Sequence, residues 1–399
     1  MLRMGTVAYY RYVWTDKFQR FIAVPEHGEE IFLAAFFFYM IVASLQTTMF
    51  RVGGPVVTAV KFLLTGCVLF KIIAFDRYSE KELCFAALLL GDAVAVMALS
   101  GYKEVFYFAV FLLGAKNIDF EKILKIYMLV TIAVLLSAFV ASRLDIIEDL
   151  VYDRAFFGER NSFGAIYPTD FAAHIFFLLC AWYYVIRKKL QTCQIVLGGF
   201  ICVTVYYYCK TRLDCITMTL LLLGLWVLKR REYWFNVASK RKKIFEFFFQ
   251  KASWFGVTGF AIMYLLSLFY MPNISAFAFL NELISDRLRI GNQGLAEYGF
   301  SFWGQTVEMN GLGGSLIAPD NYFYIDSSFL YVYLCYGAVF LALILWIYYS
   351  CCKKYADDRC YLLILAVIAV NCMIAHHMVD LAYNPFYLAL LAKRDGLLR

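Results

Sequence analysis

The sequence predicts an all-α, polytopic integral membrane protein of about 12 transmembrane helices, with a long outer loop carrying an amphipathic helix. Three observations carry that reading. The 399 residues are 63% hydrophobic and 17% charged, whereas soluble domains sit near 45–50% and 25%. Apolar runs of about 17–23 residues, long enough to cross a bilayer as helices, recur along the chain. The basic residues between the runs gather at alternate ends, as the positive-inside rule requires.

The elements follow in order. Residues 1–30 mix Tyr9, Tyr10, Tyr12, Trp14, Phe18 and Phe21 with Arg11, Lys17 and Arg20. This is the composition of an inner interfacial segment. The first strongly apolar run begins near Ile31, too late and too long for a cleavable signal. Apolar runs then predict spans at 31–50, 55–75, 83–100, 102–115, 123–142, 169–186, 194–209, 213–228, 254–270, 328–350, 360–378 and 381–392. The fourth and twelfth are short and read as partial or re-entrant, and Asn384-Pro385 breaks the last. The whole of 1–399 is one membrane domain with two long outer loops, 143–168 and 271–327. The second holds an amphipathic run, Ile274 to Phe300, expected as one helix across the outer mouth. A glycine turn, Gly311 to Gly314, and Pro319-Asp320-Asn321 follow it.

With the N-terminus inside, most of the 37 lysines and arginines are inner. The exceptions are Arg51, Lys61, Lys103, Arg143, Arg154, Arg160, Lys210, Arg212, Arg287 and Arg289. Lys61 and Asp92 fall inside spans and are expected to pair, because an unpaired charge there is costly. Asp170 and His174, four apart on one helical face, are expected to pair as well.

Several function classes lose support. The basic residues are scattered between spans, so nucleic acid is not an expected partner. The 12 cysteines lack zinc spacing and read as reduced core residues. No P-loop, HExxH or Asp-x-Asp in a large soluble domain is present, so no cofactor or metal is expected. No internal repeat supports an inverted-repeat transporter.

The candidate chemistry lies in the outer segments. The stretch from Arg154 to His174 is dense in polar residues between two apolar runs. Arg160, Arg212 and Arg287, with Lys210 and Arg289 beside them, oppose the inner charge bias. A guanidinium grips phosphate or carboxylate oxygens with a planar fork, so these arginines can converge on an anion such as a lipid diphosphate. Each can instead neutralise a local acid (Asp214, Asp286, Glu282) or a lipid headgroup. Asp326, where the long loop enters a span, is either a general base or a helix cap. His376 and His377, near Asp380, are either a base or substrate contact, or interface histidines bonded to the loop.

Four segments in order resemble the Wzy-type polymerases of the O-antigen/capsule polymerase and ligase superfamily. They are Arg160-Asn161-Ser162-Phe163-Gly164 with Tyr167-Pro168, then Lys210-Thr211-Arg212, then Leu283-Ile284-Ser285-Asp286-Arg287-Leu288, then Ile325-Asp326-Ser327-Ser328-Phe329 with Tyr336-Gly337. Together they cover about 160–340. The chain departs from the family pattern at Tyr167, where a histidine is common, at Thr169-Asp170, and at Leu213-Asp214.

The resemblance implies glycosyl transfer on the outer face of a bacterial cytoplasmic membrane. Capsule, O-antigen or exopolysaccharide would be built from undecaprenyl-diphosphate-linked oligosaccharides, without metal or nucleotide. Arg160, Arg212 and Arg287 would stabilise charge, and Asp326 would act as base, with His376 or His377 second. Asn161, Tyr167, Lys210, Arg289, His376 and His377 would contact substrate. Membrane lipids, a chain-length regulator and a flippase are the implied partners. A ligase of the same superfamily, a lipid-linked oligosaccharide flippase and a purely structural membrane protein are the alternatives.

Overall fold

The computed structural model describes residues 15, 17–154, 158–234, 240–317 and 319–394. Half of the expected interfacial segment, 1–14 and 16, lies outside them, as does the middle of the basic 229–251 loop. The chain enters with α1 (Pro25–Leu45), α2 (Gly54–Ala74) and α3 (Glu80–Ser100). A short α4 (Glu104–Gly114) and a long α5 (Phe120–Arg143) follow. A two-stranded hairpin, β1 (Val151–Arg154) and β2 (Gly158–Asn161), leads to α6 (Pro168–Ile186). Next come α7 (Thr192–Cys209), α8 (Arg212–Trp234), α9 (Lys240–Lys251) and α10 (Phe255–Leu268). The second long loop holds α11 (Ser275–Leu283) and α12 (Arg287–Tyr298). The chain closes with α13 (Ser328–Lys354) and α14 (Arg359–Cys372).

Among the described residues, eight helical stretches are long and apolar enough to cross a membrane: α1, α2, α3, α5, α6, α7, α10 with the end of α9, and α13. The protein is an all-α polytopic membrane protein. Local chemistry sets the helix starts. Pro25, Pro55 and Pro168 stand in the first turns of α1, α2 and α6, where a missing N–H removes no helical bond. Ser79 and Glu82 form a capping box at α3. Asp119 and Asp358 accept backbone N–H groups at the starts of α5 and α14.

Two elements are too short to span in contact with lipid. The 11 residues of α4 rise only about 16 Å, and Tyr107 to Ala115 are all buried. The twelfth expected span is not a regular helix. After α14 the chain runs irregularly to Lys393, with one 3-10 turn at Phe386–Leu390. Backbone of that kind survives at membrane depth only when protein satisfies it. Here Lys354 Nζ donates to the carbonyls of Ala389, Leu390 and Ala392. Tyr361 donates to the Phe386 carbonyl at 3.0 Å, and Asn384 donates to that of Met378 at 2.8 Å. At the far end, Lys393 N–H donates to the Ile118 carbonyl.

The expected amphipathic helix from Ile274 to Phe300 is two helices, broken at Ser285 and Asp286, both at positive φ. The loop after α12 then re-enters the bundle. A π turn at Val332–Tyr336 opens the ladder of α13. Through that opening, Gln305 N–H donates to the Cys335 carbonyl, and Ala338 and Val339 N–H donate to Ser301 and Phe302 carbonyls. Gly337 sits there at φ +88°, where a Cβ would overlap the Phe302 carbonyl.

Lys61 and Asp92 do not pair. Lys61 Nζ lies over the rings of Tyr39 and Tyr107, 5.4 and 5.9 Å from their centroids. Asp92 is buried on α3 with no hydrogen-bond partner for either carboxylate oxygen among the described residues. Asp170 and His174 do not pair either. His174 bonds Thr47 Oγ1 at 2.8 Å and stacks on Tyr383 at 4.0 Å, because its ring points into the bundle.

Gly337→Ala is expected to destabilise the protein by about 3 kcal/mol or more, through a disallowed φ and a backbone clash. Thermal unfolding of the purified variant in detergent checks this. An unchanged midpoint would show that the loop does not dock at the π turn.

Candidate active site

At one end of the bundle, the loops enclose a cavity of about 730 Å³. The first contributor is the hairpin. Its register sets Tyr152 opposite Arg160, and both line the cavity. Met49, Leu150 and Tyr152 form a small apolar cluster with Ile166 and Leu312 beneath it. The Tyr152 hydroxyl donates to the Ile166 carbonyl at 3.0 Å. Gly164, at φ +76°, lets the chain turn against α5, where a Cβ would strike the Ala138 carbonyl. Arg160 Nε donates to the Cys209 carbonyl at 3.0 Å, at the C-terminus of α7. Asn161 Nδ2 reaches the adjacent Tyr208 carbonyl at 3.5 Å.

The α7–α8 turn is the second contributor. Lys210 caps α7 in a left-handed conformation, φ 51°. That reversal brings Lys210 and Arg212 to the cavity wall, with the buried Asp214 below them.

The third contributor is the α11–α12 break, built around Asn281. The Asn281 side chain accepts the N–H groups of Leu288 and Arg289 at 3.1 and 3.0 Å and donates to Asp286 Oδ1 at 2.7 Å. It therefore caps α12 and holds the strained turn before it. Arg287 emerges as the first residue of α12. Its Nε donates to the Ile374 carbonyl at 2.8 Å, and Nη1 donates to the carbonyls of Ile284 and Ser285 at 3.0 Å. Nη2 pairs with Asp326 Oδ2 at 3.2 Å. Arg289 lies 3.9 Å from Asp286 in a more exposed pair.

Asp326 does not cap the following helix: Ser327 is the N-cap residue of α13 and makes no side-chain cap bond. Its second oxygen faces His376 Nδ1 at 3.9 Å, and His376 Nε2 bonds the Tyr324 hydroxyl at 3.2 Å. His376 lies in the loop beyond α14. Burial lowers its pKa, against the pull of the Asp326 and Asp380 carboxylates, so it stands neutral near pH 7. Burial first, then the Asp326 carboxylate, raises the Tyr324 phenol and pushes Tyr322 up to about 12. Both phenols therefore remain protonated donors. His377 also lines the cavity, buried and stacked on Tyr383 at 3.8 Å.

Arg160, Arg212, Arg287, Asp326, Tyr167, Lys210, Arg289, His376 and His377 thus line one cavity, though they come from five separate segments. Asn161 does not line it; it ties the hairpin to α7. Sequence reasoning missed Tyr152, Asp214, Tyr322 and Tyr324 as wall residues. The alternation of Val151-Tyr152-Asp153-Arg154 ahead of Gly158 was the available signal for the first of these. Among the described residues, no group of three or more His, Cys, Asp or Glu side chains is arranged to hold a metal ion. No family model, no curated protein and no solved structure matches the chain.

Asn281→Leu is expected to release the Ser285–Asp286 turn, since it removes two cap bonds and one bond to the turn. Limited trypsin digestion checks this, with cleavage after Arg287 rising about tenfold or more. An unchanged rate would mean that the turn is held without Asn281.

Proposed function

We propose that this protein polymerises lipid-linked oligosaccharide repeat units on the outer face of a bacterial cytoplasmic membrane. The observation that carries the proposal is the single cavity that gathers cations from three separate loops beside Asp326 and a neutral histidine. Twelve crossings with both ends inside fit this reading, counting the buried α4, α14 and the irregular last segment. The cavity end then faces outward.

The chemistry needs little more than these groups. The acceptor hydroxyl attacks C1 of the sugar that joins the growing chain to undecaprenyl diphosphate. The new glycosidic C–O bond forms as the C1–O bond to diphosphate breaks. The electron pair leaves on the diphosphate, where Arg160, Lys210 and Arg212 offset its charge. The hydroxyl proton passes to the Asp326–His376 pair. Three of the five N–H donors of Arg287 are hydrogen-bonded in the resting site, and Nη2 is paired with Asp326. As Asp326 accepts the proton, its hold on Nη2 weakens, and Arg287 gains a prong for the departing diphosphate. Cation and base act in one step.

Deleting the gene and running surface polysaccharide with extracted lipid-linked sugars on a gel tests the reading. Surface material arrested at one repeat unit is the expected result. Full-length polymer left on its lipid carrier would mean a ligase, and single units held on the inner leaflet would mean a flippase. In complementation, Arg287→Ala and Arg287→Lys are both expected to lower polymer output about 100-fold or more. Full activity of the lysine variant would remove Arg287 from the reaction.

A further inference from the structure

The cavity is divided in its chemistry. The hairpin, the α7–α8 turn and α12 contribute the cations Arg160, Lys210, Arg212, Arg287 and Arg289. The start of α6, the segment leading into α13 and the loop after α14 contribute Asp170, Tyr167, Tyr322, Tyr324 and His377. The two sets meet at the Arg287–Asp326 pair.

Asp170 is the unexplained member. It stands in the first turn of α6 and lines the cavity. It makes no hydrogen bond or ion pair among the described residues, although five cations share the cavity. Its electrostatic neighbours are other acids, Asp326, Asp214 and Asp380. Its carboxylate also bears on the phenols of Tyr167 and Tyr324. A second, independent observation is His377. It lines the same cavity at 4% exposure, and its Nδ1 has no partner among the described residues. A buried imidazole nitrogen left unpaired in a residue of the cavity wall leaves hydrogen-bonding capacity unused there.

The chemistry of this set, a carboxyl group, phenols and an imidazole with no cation among them, does not suit phosphate. It suits a sugar ring. A carboxyl group hydrogen-bonds two adjacent hydroxyls through its two oxygens, phenols serve as donors or acceptors, and aromatic faces lie against C–H surfaces. We infer that Asp170, with Tyr167, Tyr324 and His377, forms a sugar-binding subsite distinct from the cationic diphosphate subsite, and that Asp170 is a specificity-determining residue within it. This rests on the polymerase reading, which supplies a ligand with a diphosphate and a sugar joined together. The helix dipole of α6 alone would also accept an acid at this position, but it would not make binding depend on the sugar.

Two probes separate the subsites, both used with the full-length protein in nanodiscs. One is farnesyl diphosphate, which carries no sugar. The other is the lipid-linked repeat unit extracted from cells lacking the gene. Asp170→Asn keeps the shape and replaces the acid with an amide. The variant is expected to bind farnesyl diphosphate as the wild type does, within about twofold, and to bind the repeat unit about tenfold more weakly, the size of one hydrogen bond. Arg212→Ala is expected to weaken both. Equal binding of the repeat unit by wild type and Asp170→Asn overturns the sugar subsite alone. Equal weakening of both probes by Asp170→Asn also overturns it, because Asp170 would then act on the diphosphate subsite. Failure of the wild type to bind the repeat unit overturns the polymerase reading and this inference with it.

Discussion

The cavity end depends on one guanidinium. Arg287 binds the carbonyls of Ile284 and Ser285 from the α11–α12 break, the carbonyl of Ile374 after α14, and the carboxylate of Asp326 before α13. Those segments are far apart in sequence, and no regular hydrogen-bond ladder joins them. A charge-assisted bond of this kind is worth about 1.5–3 kcal/mol. Lysine has three donors and no planar fork, so it cannot reproduce the set. The same contacts that hold the loop in place aim the cation and the acid at one volume.

Below that end, the bundle supports backbone that lipid alone could not. The segment after α14 is irregular, and α4 is short, yet both are buried. Lys354, Tyr361 and Asn384 supply the hydrogen bonds that a helix would have made for itself. Freed from helical geometry, the chain can present His376 and His377 side by side at the cavity and pass Tyr383 between His174 and His377. A regular helix would carry neighbouring side chains about 100° apart and could not set two adjacent imidazoles against the same cavity as easily.

Much of the fold was legible because hydropathy and charge act residue by residue. The long spans needed only apolar length, and the outlying arginines needed only a count by side. What stayed hidden depends on contacts between distant segments. Nothing local to 381–392 announces that Lys354 will serve its carbonyls. Nothing near Lys61 marks Tyr39 and Tyr107 as its cushion. The spacing of Asp170 and His174 predicted a pair from helical geometry, but tertiary stacking on Tyr383 claimed the histidine and left the acid to the cavity. The break at Ser285–Asp286 was hidden for the same reason: amphipathic periodicity runs through it, and the side chains of Asn281 and Arg287 reaching across the turn hold the break.

The strain in the backbone points the same way as the charges. Among the described non-glycine residues, six have positive φ: Asn117, Asp145, Phe163, Lys210, Ser285 and Asp286. Asparagine and aspartate enter that region at modest cost, but phenylalanine, lysine and serine do so at about 1 kcal/mol or more. Phe163, Lys210 and Ser285 belong to the three segments that supply the cavity's cations. Phe163 follows Arg160 in the turn closed by Gly164, Lys210 precedes Arg212, and Ser285 precedes Arg287. Relaxing any of these turns would redirect a cation away from the cavity. Strain recurs at three unrelated turns, each time beside a cavity arginine, and surrounding contacts such as those of Asn281 hold it.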